Sequence, residues 1–158
     1  MNDFENSLND LLVETFNFIL KYEESSLKTI SAASVTVSEA HMIEAIANNG
    51  GSSTVSDISI LLNIAMPTAT VAVKKLERKG FVIKVPCPED GRRFIITLTA
   101  LGQKVDKAHK IFHRKMVRNI SNGFAENERE VLLTAIRKLS EFFKEKVEEK
   151  NEFKNTIY

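Results

Sequence analysis

Apolar side chains recur at three- and four-residue intervals through most of this chain, and the exceptions are short. Over residues 3–30 the positions Phe4, Leu8, Leu11, Leu12, Phe16, Ile19, Leu20, Leu27 and Ile30 predict one long helix with a single apolar stripe. Ser38 and Glu39 open a second predicted helix that runs to about Asn48. Met42, Ile43, Ala45 and Ile46 turn inward on it, and Gly50-Gly51 stops it. Thr54 or Ser56 caps a short third helix carrying Ile58, Ile60, Leu61 and Leu62. A fourth helix starts near Pro67, whose missing N–H suits a first turn, and it ends at Gly80. From Phe81 to Thr99 the pattern changes to strand, turn, strand, with strands near 82–85 and 93–98. Leu101, Val105, Ala108, Phe112, Met116 and Ile120 mark a fifth helix. Val131, Leu132, Ile136, Leu139, Phe143 and Val147 mark a sixth, after the Asn122-Gly123 break.

Helix three, a turn at Asn63-Ile64-Ala65 and helix four have helix-turn-helix proportions, in which the second helix meets base edges with its N-terminal residues. Helical phasing puts Ala69, Ala72, Val73 and Leu76 on an inward face. Pro67, Val71, Lys74 and Arg78 lie opposite, flanked by Thr68, Thr70 and Lys75. Short hydroxyls followed by cations suit base and phosphate contacts respectively. Thr54 and Ser56, at the start of helix three, join this candidate DNA-binding set. Val71 is the apolar member of the outward face; it either packs on a thymine methyl or is a tolerated surface valine. The following hairpin puts Pro88-Glu89-Asp90-Gly91 at its tip with Arg92 and Arg93 beside it. A helix-turn-helix followed by a hairpin makes a winged helix, and a wing arginine can enter a narrow minor groove. The competing reading is an edge hairpin kept soluble by charge.

Charge sharpens the picture. The net charge of the 158 residues is +1. Residues 1–65, however, carry 2 basic and 9 acidic groups, a net of −7. Residues 66–95 carry 7 and 3, and residues 96–158 carry 13 and 9, each a net of +4. A basic central module on an acidic body fits a polyanionic partner. The wide apolar stripes on the first and last two helices exceed what one small core covers, which predicts a homodimer built from both ends of the chain. A single cysteine allows no internal disulfide, and no secretory or membrane-spanning run is read, so a soluble cytoplasmic protein with no membrane partner is expected. There is no phosphate-binding glycine loop and no nucleophile elbow. An enzyme is therefore not expected, and no cofactor is assigned.

The stretches "PTATVAVKKLERKGFV" (67–82), Asp90-x-Arg92 and "ITLTALGQ" (96–103) together resemble the MarR family of dimeric winged-helix transcriptional regulators. The resemblance implies a mainly α fold: a winged helix-turn-helix with a β-hairpin wing and N- and C-terminal dimerisation helices, α+β by strict count. Residues 1–158 then form a single chain of that type. Residues 1–33 are the N-terminal dimerisation helix, 38–100 the winged helix-turn-helix, and 101–158 the C-terminal dimerisation helices. It implies a repressor on a palindromic operator. By matching position Arg92 is the wing arginine, Asp90 its wing-supporting ion-pair partner, and Arg93 a second contact. Many relatives carry Arg or a polar residue where this chain has Val71. "YEESSL" (22–27), "EAHMIEAI" (39–46) and "AHKIFHRKMV" (108–117) resemble the FabT-like branch. That branch implies control of fatty-acid-synthesis genes, with long-chain acyl-acyl carrier protein, or a fatty acyl ligand, as effector. Lys110, Arg114, Lys115 and Arg118 are the candidate patch for the carrier protein.

His41, His109 and His113 are the three histidines, and the last two stand four apart on one helix face, a spacing able to chelate a metal. They are read as an effector or allosteric cluster with no metal assigned. The competing reading is a zinc-responsive repressor, since zinc-sensing members of the resembled family place ligands similarly with a glutamate from the first helix; here Glu23 or Glu24 fits that role. Cys87 lacks a resolving partner and is read as an inert wing thiol. A third class, a helical adaptor without DNA binding, is opposed by the cationic outer face of helix four and by Arg92.

Overall fold

The computed structural model describes residues 2–30, 35–87 and 93–156, with side chains through Glu149 apart from that of Ile30. The wing tip, including Asp90 and Arg92, lies outside the described residues. The elements follow the order α1 (Asp3–Ile30), α2 (Val37–Asn48), β1 (Ser52–Ser53), α3 (Val55–Leu61), α4 (Met66–Arg78), β2 (Val82–Pro86), β3 (Phe94–Leu98), α5 (Ala100–Asn122) and α6 (Glu126–Thr156). The structure is mainly α with a winged helix-turn-helix, as the sequence leads one to expect. Two units are distinguished, residues 1–113 and 114–158, and each is described by itself.

The first unit has one apolar core. Ala40, Ile43 and Ile46 of α2, Ile58 of α3, Ala69 and Leu76 of α4, Phe81 and Ile96 are wholly buried. Leu27, Val73, Val82 and Val105 join them. Burying a side chain such as Ile or Phe stabilises by about 1.5–3 kcal/mol, so this cluster fixes α2, α3, α4 and the sheet as one body. The inward face expected of α4 is the buried one: Ala69, Val73 and Leu76 are in the core and Ala72 packs against it.

Two local expectations change. The second helix opens at Val37, capped by Thr36, one residue before Ser38 would have opened it. Thr36 accepts from the Glu39 N–H, and the Glu39 carboxylate accepts from the Thr36 N–H, a capping box that satisfies two otherwise orphaned donors. A third strand is also present. The sheet order is β1-β3-β2, all antiparallel, with Ser52 opposite Thr97 and Ser53 opposite Ile96. Two serines carry no apolar alternation, so nothing in their pattern signals a strand. The hairpin pairs Val82 with Leu98 and Pro86 with Phe94, and the Cys87 N–H donates to the Arg93 carbonyl at 2.8 Å.

The sheet is locked to α5 by Thr99. Its hydroxyl donates to the Gly80 carbonyl at 2.6 Å and accepts from the Gly102 N–H at 3.1 Å. Gly102 is buried, and a Cβ there would overlap the Phe81 carbonyl oxygen, so only glycine lets α5 approach this closely.

In the second unit, α6 begins where the Ala125 N–H donates to Glu128 Oε2 at 2.7 Å. Arg129 Nε donates to the carbonyls of Ser121 and Phe124, both at 3.1 Å, which closes the turn. Val131, Leu133, Ile136, Phe142, Phe143 and Val147 of α6 are exposed, as are Phe4, Leu11, Phe16 and Leu20 of α1 in the first unit.

Candidate functional site

The DNA-reading candidates are built on α3 and α4. The axes of these two helices turn by 111°, within the range of a helix-turn-helix. Asn63 makes the turn by adopting a left-handed conformation (φ 50°), which asparagine tolerates better than most residues. Thr54, one of the two caps the sequence allows, is the one that closes α3. It accepts from the Asp57 N–H at 3.1 Å, and both its N–H and its hydroxyl donate to Asp57 Oδ2, at 2.8 and 2.7 Å. These bonds from Thr54, with Arg93 contributing at longer range, hold the Asp57 carboxyl below its ordinary pKa. Ser56, two residues after Thr54, is exposed. Ala65 at the α4 N-cap has no side-chain cap, and Pro67 sits in the first turn.

On α4 the outward face is as phased: Pro67, Thr68, Val71, Lys74, Lys75 and Arg78 are all exposed. Val71 is 60% exposed at the centre of that face, the solvent-facing position its phase requires. Thr70 is half-buried and donates its hydroxyl to the Met66 carbonyl at 2.9 Å, so that group is turned back on its own helix. Arg93 is exposed at the foot of β3. With Lys84, Thr54, Ser56 and Thr70 it lines a groove of about 470 Å³ between the start of α3, α4 and the sheet. The arrangement is an exposed helix face carrying a hydroxyl, one valine and cations, beside Arg93 at the foot of β3. Such a surface complements a groove and its phosphates.

A second site lies among α1, α2 and α5. Glu23, four residues before the buried Leu27, shares the inward face of α1, whereas Glu24 is exposed. Glu23 Oε1 lies 2.9 Å from His41 Nε2, 2.6 Å from His109 Nε2 and 3.7 Å from His113 Nε2. The Nε2 atoms of His109 and His113 are 3.1 Å apart. Glu23 and His109 are buried, while His113 and His41 reach the surface. At 2.6 Å, Nε2 of His109 and the carboxylate oxygen cannot face each other as bare lone pairs; a proton or a cation must lie between them. The four donor atoms all fall within 4.8 Å of one another. Tetrahedral zinc with bonds of about 2.0–2.1 Å holds its ligand atoms about 3.3 Å apart. The donor set of three imidazoles and one carboxylate fits such an ion in chemistry, and its separations, from 2.6 Å up to at most 4.8 Å, bracket that spacing. Glu44, which nothing in the sequence pattern singles out, sets its Oε2 2.9 Å from His109 Nδ1.

The two sites share α2. Glu39, two residues before His41, accepts a 2.7 Å hydrogen bond from Lys79, the residue capping the end of α4. Burial pushes the Glu39 carboxyl up, but Lys79 and the Thr36 N–H outweigh this and leave its pKa below the ordinary value.

The candidate carrier-protein residues are mixed in character. The Lys110 ammonium lies 2.9 Å from Asp106 Oδ1 but is aligned to donate to Oδ2, at 3.1 Å. Arg114, Lys115 and Arg118 are exposed. Cys87 is a half-buried free thiol on the wing. Among the described residues, no single helix is long and apolar enough to cross a membrane.

Comparison with known proteins fits this geometry. Residues 33–93, which span α2 through β2 and end just before β3, match the MarR family model. The chain is 30% identical to Streptococcus pneumoniae FabT, a structure solved in complex with DNA, over 89% of this chain and 98% of that one, with a TM-score of 0.82. It has the fold of a MarR family protein from Bacillus stearothermophilus, with 21% identity, coverage of 91% and 99%, and a TM-score of 0.67. The same holds for a mutant of MepR from S. aureus bound to an oligodeoxyribonucleotide, at 22% identity, coverage of 85% and 97%, and a TM-score of 0.58. No curated protein matches the sequence. With the helix-turn-helix segment matching the family model and nearly the whole chain aligning to FabT at 30% identity, this chain belongs to the MarR family: it is a DNA-binding transcription regulator and not an enzyme.

Proposed function

We propose that the chain is a homodimeric, cytoplasmic repressor that binds a palindromic operator upstream of fatty-acid-synthesis genes, with long-chain acyl-acyl carrier protein as co-repressor. The observation that carries this reading is the whole-chain similarity to FabT bound to DNA, coupled with an exposed cationic face on α4. Exposed apolar residues along α1 and α6 support a second copy as their cover. On this reading residues 1–33 and 101–158 form the dimerisation helices and residues 38–100 form the reader. Two recognition helices must then meet major grooves about 34–36 Å apart, so a small rotation of each reader switches affinity. Thr68, Lys74, Lys75 and Arg78 contact DNA from α4, with Pro67, Thr70 and Val71 beside them. Thr54, Ser56 and Arg93 flank that helix, and Arg92, supported by Asp90, enters the minor groove from the wing. The test is a DNA-affinity titration with the upstream region, run with acyl-acyl carrier protein, with zinc, and with neither. Tightening by the acylated carrier alone supports this reading; indifference to it defeats the fatty-acid part.

A specific observation favours a second reading, a zinc-responsive repressor. Glu23, His41, His109 and His113 converge with metal-ligand spacing from three different helices. Zinc bound there would cross-link α1, α2 and α5 and so fix α2, which carries both His41 and the Glu39–Lys79 contact to α4. Tightening of DNA binding by zinc, lost in His109→Ala, supports it.

A further inference from the structure

The imidazole–carboxylate cluster has a neighbour beyond its four converging donors. Glu44 stands three residues after His41 on α2 and sets its Oε2 2.9 Å from Nδ1 of His109. His109 is wholly buried, so its two ring nitrogens depend on protein partners, Glu44 on one side and Glu23 on the other. A neutral imidazole carries one N–H donor and one bare acceptor nitrogen. A proton held at Nδ1 by Glu44 leaves the Nε2 lone pair directed at the point where His41, His113 and Glu23 converge. His41 and His113, with side chains 48% and 35% exposed, have water within reach and need no such help.

We propose that Glu44 is a positioning residue for a divalent-metal site formed by Glu23, His41, His109 and His113. It fixes the tautomer and the ring plane of His109 by accepting from Nδ1–H. The inference rests on the metal reading of this cluster. Partners of this kind typically change metal affinity ten- to hundred-fold when removed.

The test titrates the full-length wild type, Glu44→Ala and Glu44→Gln with Co²⁺ against a competing chelator, following the visible ligand-field bands. Glu44→Ala should bind Co²⁺ about ten- to hundred-fold more weakly, with altered band positions and reduced intensity. Glu44→Gln, whose amide oxygen still accepts from Nδ1–H, should recover most of the wild-type spectrum. A loss of stability alone would not move the spectrum of the bound ion. If Glu44→Ala matches the wild type in affinity and spectrum, or Glu44→Gln loses as much as Glu44→Ala, the positioning role is overturned. If the wild type binds neither Co²⁺ nor Zn²⁺, the metal reading itself fails and this inference falls with it.

Discussion

Glu23 Oε1 lies 2.6 Å from His109 Nε2, across 86 residues of chain, and both side chains are buried. The contact ties α1 to α5 through a buried polar pair, and removing Glu23 takes the carboxylate partner from His109 Nε2, leaving that nitrogen only His113 Nε2 at 3.1 Å. Glu23→Ala should lower stability by about 1–3 kcal/mol, the cost of an unsatisfied buried polar group. Glu24→Ala, at an exposed position, should stay within about 0.5 kcal/mol of the wild type. Urea denaturation of the metal-free variants measures both, and equal effects would remove the special standing of Glu23.

The Glu39–Lys79 pair makes stability depend on pH in a defined direction. The folded-state pKa of Glu39 is held below 4.5, so its contribution is present above that value and is lost as the pH falls through the lower folded pKa. The stability difference between wild type and Glu39→Gln should therefore be full near neutrality and shrink on acidification below pH 4.5. Denaturation curves across that range check the sign; a difference that grows in acid would reverse it.

Gly102 should not tolerate a methyl group. The added carbon would collide with backbone, the Phe81 carbonyl, and not with a side chain that can swing away. Gly102→Ala should cost about 1–3 kcal/mol, as overpacking does, despite alanine's higher helix propensity. Thermal unfolding measures it, and an unchanged midpoint would mean that α5 slides on the sheet at no cost.

What the sequence made legible were features with period and punctuation. The inward face of α4 followed from Ala69, Val73 and Leu76, and its outward face from the positions opposite. Pro67 and Gly80 bounded that helix to within two residues. Thr36-x-x-Glu39 is itself a capping-box spacing, but the apolar periodicity of α2 sets in only beyond Ser38, which shifts the expected start off Thr36. The β1 strand had no signal, since its pairing is made by the backbone of two serines with β3. At the histidine cluster, the four-residue spacing of His109 and His113 was visible, and the phase shared by Glu23 and Leu27 would have separated Glu23 from Glu24. Glu44 meets His109 only through the tertiary fold, and no local pattern announces it.

Dimerisation follows from the exposed apolar residues of α1 and α6. Phe4 is 73% and Val131 70% exposed, and such side chains recur along both helices. Sedimentation should show a dimer at micromolar concentration. A stable monomer there would leave these faces without a cover and end the dimeric account.

The most direct test of DNA reading by α4 is the salt dependence of affinity for the upstream duplex, measured for wild type and Lys74→Ala. Phosphate contacts release counterions, so the wild type should lose affinity steeply as salt rises. Lys74→Ala should bind more weakly on all sequences, with the slope reduced by about one for each phosphate contact removed. A salt-insensitive wild type, or a Lys74→Ala variant with unchanged affinity and slope, would contradict the assignment of the exposed α4 face to DNA.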